Sequence, residues 1–405
     1  MPLSGLEQQL NATIASWHAK LQDDLRLHVG IPTGLDHREG LDRTRDIFTS
    51  RLRALGAEVS FTAAAQRPDW LYRGDGPVAT DGPPTALCTR THGRAGTRIL
   101  LSGHLDTVHD PSPTAAFREL SINHAAKTAT GPGCVDMKGG LVIAVAALEA
   151  LEELGIHTAW SFIFNSDEET GSYWSEPALR AAAASHDVGL VFEPALPDGS
   201  LVISRPGSGQ FMVEARGKSA HVGRDFASGV SAVNALAKTM VTMSGFADPS
   251  QGRILNIGPM HGGIATNVVP DHARAWGNVR YKDEPTARVL EEMVKTCETT
   301  GDGVPSIKVM TSFNRPAKPP TDGVMKLANA ARQAAEDLGQ SMPFGSTGGV
   351  CDGNILQDAG LPVIDTLGVR GGGLHTPTEW IDLTSLVERT QLVAVLMARL
   401  SAATQ

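Results

Sequence analysis

The chain has 405 residues, 41% hydrophobic and 20% charged, with a formal net charge of −9, which is enough for two or three globular domains. The acidic balance, with no block of Lys or Arg anywhere, argues against a nucleic-acid or anionic-membrane partner and leaves small molecules or peptides. Four scattered cysteines, Cys88, Cys134, Cys297 and Cys351, form no CxxC, which excludes a thiolate metal site and a disulfide framework and fits a reducing compartment.

The N-terminal segment is amphipathic and polar, without the apolar stretch of a signal peptide, and no run reaches the roughly eighteen apolar residues that span a bilayer; a cytoplasmic protein is expected. From Gly40 to Leu55 the residues Leu41, Ile47, Phe48, Leu52 and Leu55 fall at helical spacing, and AEVSFT follows Gly56 as a strand. TRILLSGHL reads as a second strand. After the glycine-rich TGPGCVDMKGG, the run LVIAVAALEALEELG is helical by its Ala and Leu content. AWSFIFN and VGLVFEP are further strands. Alternating strands and helices, with strands apolar almost throughout, predict an α/β catalytic domain: a mixed, mostly parallel sheet covered by helices on both faces.

After Ser204 the pattern changes. GQFMVEARG alternates as a half-exposed strand does, GVSAVNALAKTMVTM is helical, RILNIGPM and ARAWGNVRY are strands, TARVLEEMVKTCE is helical and SIKVMTSF closes with a strand. That order, β-α-β-β-α-β, is the split βαβ arrangement. It predicts an inserted ferredoxin-like α+β domain over 206–315, with 1–205 and 316–405 forming the first domain.

Five segments each place a metal-ligand residue type at or just after a strand end: His104 in SGHLD, Asp136 in GPGCVDMKGG, Glu168 and Glu169 in NSDEETGS, Glu193 in VFEP, and His375 in GGGLHTPTEW. Singly, each has an ordinary structural explanation. Together they gain weight, because in open α/β sheets the carboxyl ends of several strands converge on one crevice. Imidazoles and carboxylates without thiolate suit Zn²⁺ or its first-row neighbours. Asp136, in the most constrained turn, is the natural bridge between two ions. Asp106, two residues beyond His104, can fix the ring by accepting its second N–H. Of the adjacent pair Glu168 and Glu169, one can hold metal while the other serves as general base; the residues alone leave open which is which.

These segments, in this order and with an insert between the fourth and fifth, resemble the zinc-dependent aminoacylase and carboxypeptidase family, whose members include glutamate carboxypeptidase, acetylornithine deacetylase and succinyl-diaminopimelate desuccinylase. The resemblance runs from GIPTG near residue 30 to EWIDL near residue 383 and is greatest to the glutamate carboxypeptidase-like branch. It implies two zinc ions, with Co²⁺ or Mn²⁺ as substitutes: His104, Asp136 and Glu193 on one, Asp136, Glu169 and His375 on the other. It further implies Glu168 as general base, Asp106 as orienter of His104, and a cis peptide bond between Asp136 and Met137. The insert would serve as lid and dimerisation domain, bringing His221 of GKSAHVG to the partner's active site to stabilise the oxyanion. Asn267, Arg280 and Arg315 would bind substrate, the guanidinium groups suiting a carboxylate. Cys351 departs from the family, which usually carries Ser or Thr before the residue matching Asp352; the nucleophile being water, Cys351 is not read as catalytic.

The expected activity is hydrolysis of an amide or peptide bond in an N-acyl amino acid or short peptide with a free carboxylate, through a water shared by two zincs and a glutamate base, in a homodimer. An N-acyl-amino-acid deacylase or dipeptidase is the neighbouring alternative, and a non-catalytic metal-stabilised binding protein the alternative of another class. Gly207, Gly209 and RPAKPPT are read as hinges for domain closure.

Overall fold

The computed structural model describes residues 2–34, 37–72, 81–91 and 96–402. Its central strands are apolar on both faces because helices cover both. In Ile99–His104, Trp160–Asn165, Val188–Val191 and Val363–Ile364, side chains alternate between two cores. Ile99, Leu101, Phe162, Phe164, Leu190 and Ile364 enter a large core under the helices Gly139–Glu153 and Thr384–Ala402. Leu100, Ile163, Val191 and Val363 enter a smaller one under Glu176–Ala184 and Asp352–Asp358. These four strands pair in parallel, and Thr85–Arg90 and Glu58–Thr62 extend the sheet antiparallel to six strands. The mixed, mostly parallel sheet expected of the sequence is present.

Gly139–Glu153 is buried on nearly every side, which explains why its sequence shows no polar stripe. A Cβ on Gly140 would stand 2.1 Å from the Phe192 carbonyl oxygen, so glycine there lets the helix start lie directly on the strand end. That contact fixes the turn at residues 133–138 immediately before the helix. A small sheet of Ser121–Asn123, Thr128–Thr130, Gly371–Gly372 and Trp380–Asp382, too short to show a period in sequence, holds the segment bearing His375.

Residues 207–315 build a second layered unit with its own core of Phe211, Val213, Ala215, Leu236, Ala273, Ala275, Val279, Leu290 and Val309. Its antiparallel sheet runs in the order Arg253–Gly262, His272–Tyr281, Gly207–Arg216, Ser306–Arg315, with the helices Ala232–Ser244 and Glu284–Lys295 on the core side. Alternation leaves Gln210, Asn278 and Arg280 on the other side.

The hinge reading of Gly207 and Gly209 needs correction. Both residues are paired within the sheet, to Tyr281 and Val279. A Cβ on Gly207 would meet the Tyr281 ring at 2.0 Å, and one on Gly209 the Phe313 ring at 2.4 Å. These rings stack with centroids 5.5 Å apart, so the glycines make room for aromatic packing. The chain crosses between the two units at Arg205 and Lys318, whose backbones exchange two hydrogen bonds of 3.0 Å. Asn354 donates to the carbonyls of Pro206 and Pro316 at 3.0 and 2.8 Å. Among the described residues no helix is long and apolar enough to cross a membrane.

His28 lies wholly buried in the large core, stacked on Phe48 at 4.1 Å with neither ring nitrogen hydrogen-bonded. Burial, and then the charges of Arg51 and Lys138, depress its pKa to about 3. The folded chain therefore refuses a proton that the unfolded chain accepts near pH 6.5, so His28 weakens the fold as pH falls from 6.5 toward 3. One group with this shift removes about 2 kcal/mol by pH 5. Urea denaturation of His28→Phe between pH 7 and 5 is expected to show a shallower loss of stability than the wild type; identical slopes would refute the assignment.

Candidate metal centre and its cavity

His104 ends its strand, in register with Asn165. Its Nδ1 donates to the Asp106 carbonyl oxygen at 2.9 Å, which turns Nε2 toward Asp136 Oδ1 at 3.2 Å and Glu193 Oε1 at 3.9 Å. Asp106 divides its work differently from the sequence expectation. Its carboxylate stands farther from the ring, at 3.5 Å, and accepts the backbone N–H groups of Glu168 and Glu169 at 3.2 and 2.9 Å. One residue thus orients the imidazole through its main chain and the acidic turn through its side chain.

Asp136 occupies the turn between the left-handed Gly133 and the buried helix, and the peptide bond to Met137 is cis. Its second oxygen, Oδ2, lies 3.4 Å from His375 Nε2, which is also 3.2 Å from Glu169 Oε2. The ligand-type atoms of His104, Asp136 and Glu169 lie within 4.8 Å of one another. All five expected ligands converge, and the Asp136 carboxylate stands between the two imidazoles.

The electrostatics fit divalent cations. Glu169 Oε1 and Glu193 Oε1 are buried without a hydrogen-bond partner. Burial raises the carboxyl of Glu193 well above its ordinary value, that of Glu168 to about 7, and that of Glu169 as well. Burial opposes the charge on His104, yet Asp106 and Asp136 hold its pKa well above the usual imidazole value. Hydrogen bonds to Asp136 and Glu169 raise that of His375 to about 10. Carboxyl groups that resist ionising together and imidazoles that hold protons mark a site where a bound cation would displace protons, and its nitrogen and oxygen donors suit zinc or a first-row neighbour.

Beside this centre opens a cavity of about 630 Å³, lined from the first unit by Glu168, Glu193 and Leu374 and from the insert by Gln210, Asn278 and Arg280. Arg280 Nη1 is buried without a partner, and burial and the neighbouring Arg315 lower its pKa. Arg315, expected to bind substrate, lines the cavity and is also taken up within the protein. Its Nη1 lies 2.6 Å from Glu168 Oε1, and its Nη2 donates to the Glu168 carbonyl and to Ser172 Oγ, each at 2.7 Å. His221, in the ladder of Ala220–His221 with Val268–Val269, and Asn267, just before it, are exposed and do not line this chain's cavity. Cys351 is buried at the start of Asp352–Asp358 and does not line the cavity.

Sequence reading missed Arg205, Asn278 and Gln210. The last two could have been found from alternation, since Trp276, Asn278 and Arg280 share the face opposite the insert core. Arg205 gave no signal, because its partners are distant in sequence. It lines the cavity and pairs with both oxygens of Asp365 at 2.7 and 3.0 Å, while Lys318 Nζ lies 3.2 Å from the same carboxylate. Burial opposes the charge of Asp365, but the two cations hold its carboxyl below the ordinary range.

Residues 100–399 match the family described as peptidase family M20/M25/M40. Carboxypeptidase G2 of Pseudomonas sp. (strain RS-16) is 27% identical over 380 residues, 92% of this chain and 88% of that one. Succinyl-diaminopimelate desuccinylase of Gluconacetobacter diazotrophicus is 26% identical over 376 residues, 87% of this chain and 91% of that one. Among solved structures, a tripeptidase of Staphylococcus aureus superposes with a TM-score of 0.74 at 23% identity, covering 94% of this chain and 99% of its own; at that identity the likeness speaks for the fold.

Asp365→Asn keeps the side-chain volume but leaves Arg205 and Lys318 buried with no full counter-charge. It is expected to cost about 3–5 kcal/mol of stability, read as a lowered urea midpoint with unchanged slope.

Proposed function

Because the chain belongs to peptidase family M20/M25/M40, a family of metal-dependent hydrolases, we propose that it cleaves the amide or peptide bond of an N-acyl amino acid or short peptide bearing a free carboxylate. The observation that carries this reading is the Asp136 carboxylate, with one oxygen toward His104 and the other toward His375, beside a cavity walled by Glu168. His104, Asp136 and Glu193 would hold one zinc ion, and Asp136, Glu169 and His375 a second. When bound, such a pair supplies Lewis acidity and lowers the pKa of water.

The chain's own residues do the rest. Glu168 removes a proton from the attacking water and returns it to the amine nitrogen as the carbon–nitrogen bond breaks. Arg315, fastened to Glu168 from the end of the insert, keeps that carboxylate aimed into the cavity. Arg280, with its unpartnered Nη1, receives the substrate carboxylate. His221 and Asn267 are exposed and do not line this chain's cavity, which favours a homodimer in which each insert serves its partner. Four free cysteines accord with a cytoplasmic location. The retained Glu168 and complete ligand set favour an enzyme over a metal-stabilised binding protein. The names of the relatives, a carboxypeptidase and a desuccinylase, keep carboxypeptidase and N-acyl-amino-acid deacylase as the two forms of the same reading.

Metal analysis beside hydrolysis of a panel of N-acyl amino acids and dipeptides tests the proposal. Wild type and Glu168→Gln are expected to carry about two zinc ions each, with kcat in the variant lower by about 10²–10⁴. Metal bound without any amide cut by the wild type would refute it. Arg280→Ala is expected to raise KM by about tenfold or more, the size of one charged hydrogen bond, for substrates with a free carboxylate and to leave their amidated analogues unchanged. Equal effects on both would remove Arg280 from the carboxylate site.

A further inference from the structure

Glu379 belongs to the same segment as His375 but was given no role by its sequence, and it is wholly buried. Its Oε1 accepts the backbone N–H groups of Val135 and Asp136 at 2.8 and 3.0 Å. Its Oε2 accepts that of Gly133 at 3.0 Å and closes on His109 Nε2. Its own carbonyl receives Gly131 N–H at 3.2 Å. Among the described residues, His109 is the one side chain in ion-pair reach of this carboxylate. Lys138, whose charge is felt nearby, donates instead to the Ile31 carbonyl at 2.8 Å.

A buried anion is costly unless its oxygens are fully engaged, and here the engagement falls on one feature. Three donors come from the turn that presents Asp136, where the chain leaves regular structure and its N–H groups need partners. The fourth comes from His109, on the loop that begins at His104. We propose that Glu379 is a positioning residue of the metal centre, a clamp whose carboxylate, capped by His109, fastens together the three segments that deliver His104, Asp136 and His375. The clamp rests on the reading of these residues as metal ligands and adds what keeps them in register, since ligands must be held to within about 0.5 Å.

The geometry also explains why a carboxylate is needed. It presents acceptors on both oxygens to four donors, whereas a glutamine would turn its NH₂ toward donors on one side. His109 can be replaced in kind, because the amide of a glutamine supplies an N–H.

Cobalt titration of the metal-stripped full chain tests the clamp, followed by the visible absorption of bound Co²⁺ and by calorimetry, with far-UV circular dichroism reporting the fold. Glu379→Gln is expected to weaken Co²⁺ binding by about 10–100-fold, as loss of outer-shell support does elsewhere, and to change the cobalt band while the dichroism stays that of wild type. His109→Ala is expected to weaken binding by about tenfold, and His109→Gln to restore it. Should Glu379→Gln fail to fold, the His109 pair decides. A folded Glu379→Gln with wild-type affinity and band, or a His109→Ala indistinguishable from His109→Gln, overturns the clamp alone. Failure of the wild type to bind Co²⁺ overturns the metal reading and the clamp with it.

Discussion

The carboxylate of Asp136, set between two imidazoles, is the point on which the rest of the molecule depends. Its oxygens face His104 at 3.2 Å and His375 at 3.4 Å, so a small rotation of the turn that carries it would spoil both approaches. The fold removes that freedom. The helix that follows the turn is buried on nearly every side and lies with Gly140 against Phe192 at the end of a central strand. The carboxylate of Glu379 takes three of the turn's N–H groups. A centre built from strand ends and short turns is held by regular structure on one side and by a buried anion on the other.

The same logic recurs in the other buried charges. Asp106 holds the acidic turn through two N–H bonds, Arg315 holds Glu168, and Arg205 and Lys318 share Asp365. Each group is expensive to bury alone and tolerable when its partners are fixed. The insert is joined to the catalytic unit through the pairing of Arg315 with Glu168 and through Asn354, which holds both crossing segments at Pro206 and Pro316. Farther out, Trp276 of the insert donates to the Trp70 carbonyl at 2.6 Å and packs on Tyr72. The cavity is therefore walled by both units, with the residues proposed as metal ligands on one and Arg280 on the other.

Much of this was legible in the chain. Strands buried on both faces read as continuous apolar runs, and the insert's period-two strands around two amphipathic helices gave its element order. The proposed ligand set was suggested by His, Asp and Glu recurring at strand ends, and similarity to a known family suggested the roles that spacing left open, Glu168 against Glu169 in particular. The glycines at 207 and 209 were misread. Sequence shows that a glycine is there, but whether it serves motion or room for a neighbouring ring depends on Tyr281 and Phe313, which lie far along the chain.

The sequence by itself determined the local periods, the order of the elements and the chemical types that reach the crevice, because these follow from neighbours within a few residues. Tertiary structure alone decided which charges face one another. That Arg315 is taken up by Glu168, that Arg280 keeps a free N–H, that Asp106 divides its carbonyl and carboxylate between ring and turn, and that Glu379 grips a loop more than 240 residues earlier are all pairings across long separations. Burial sets their strength by removing the competing water, and no local pattern in the chain encodes that burial.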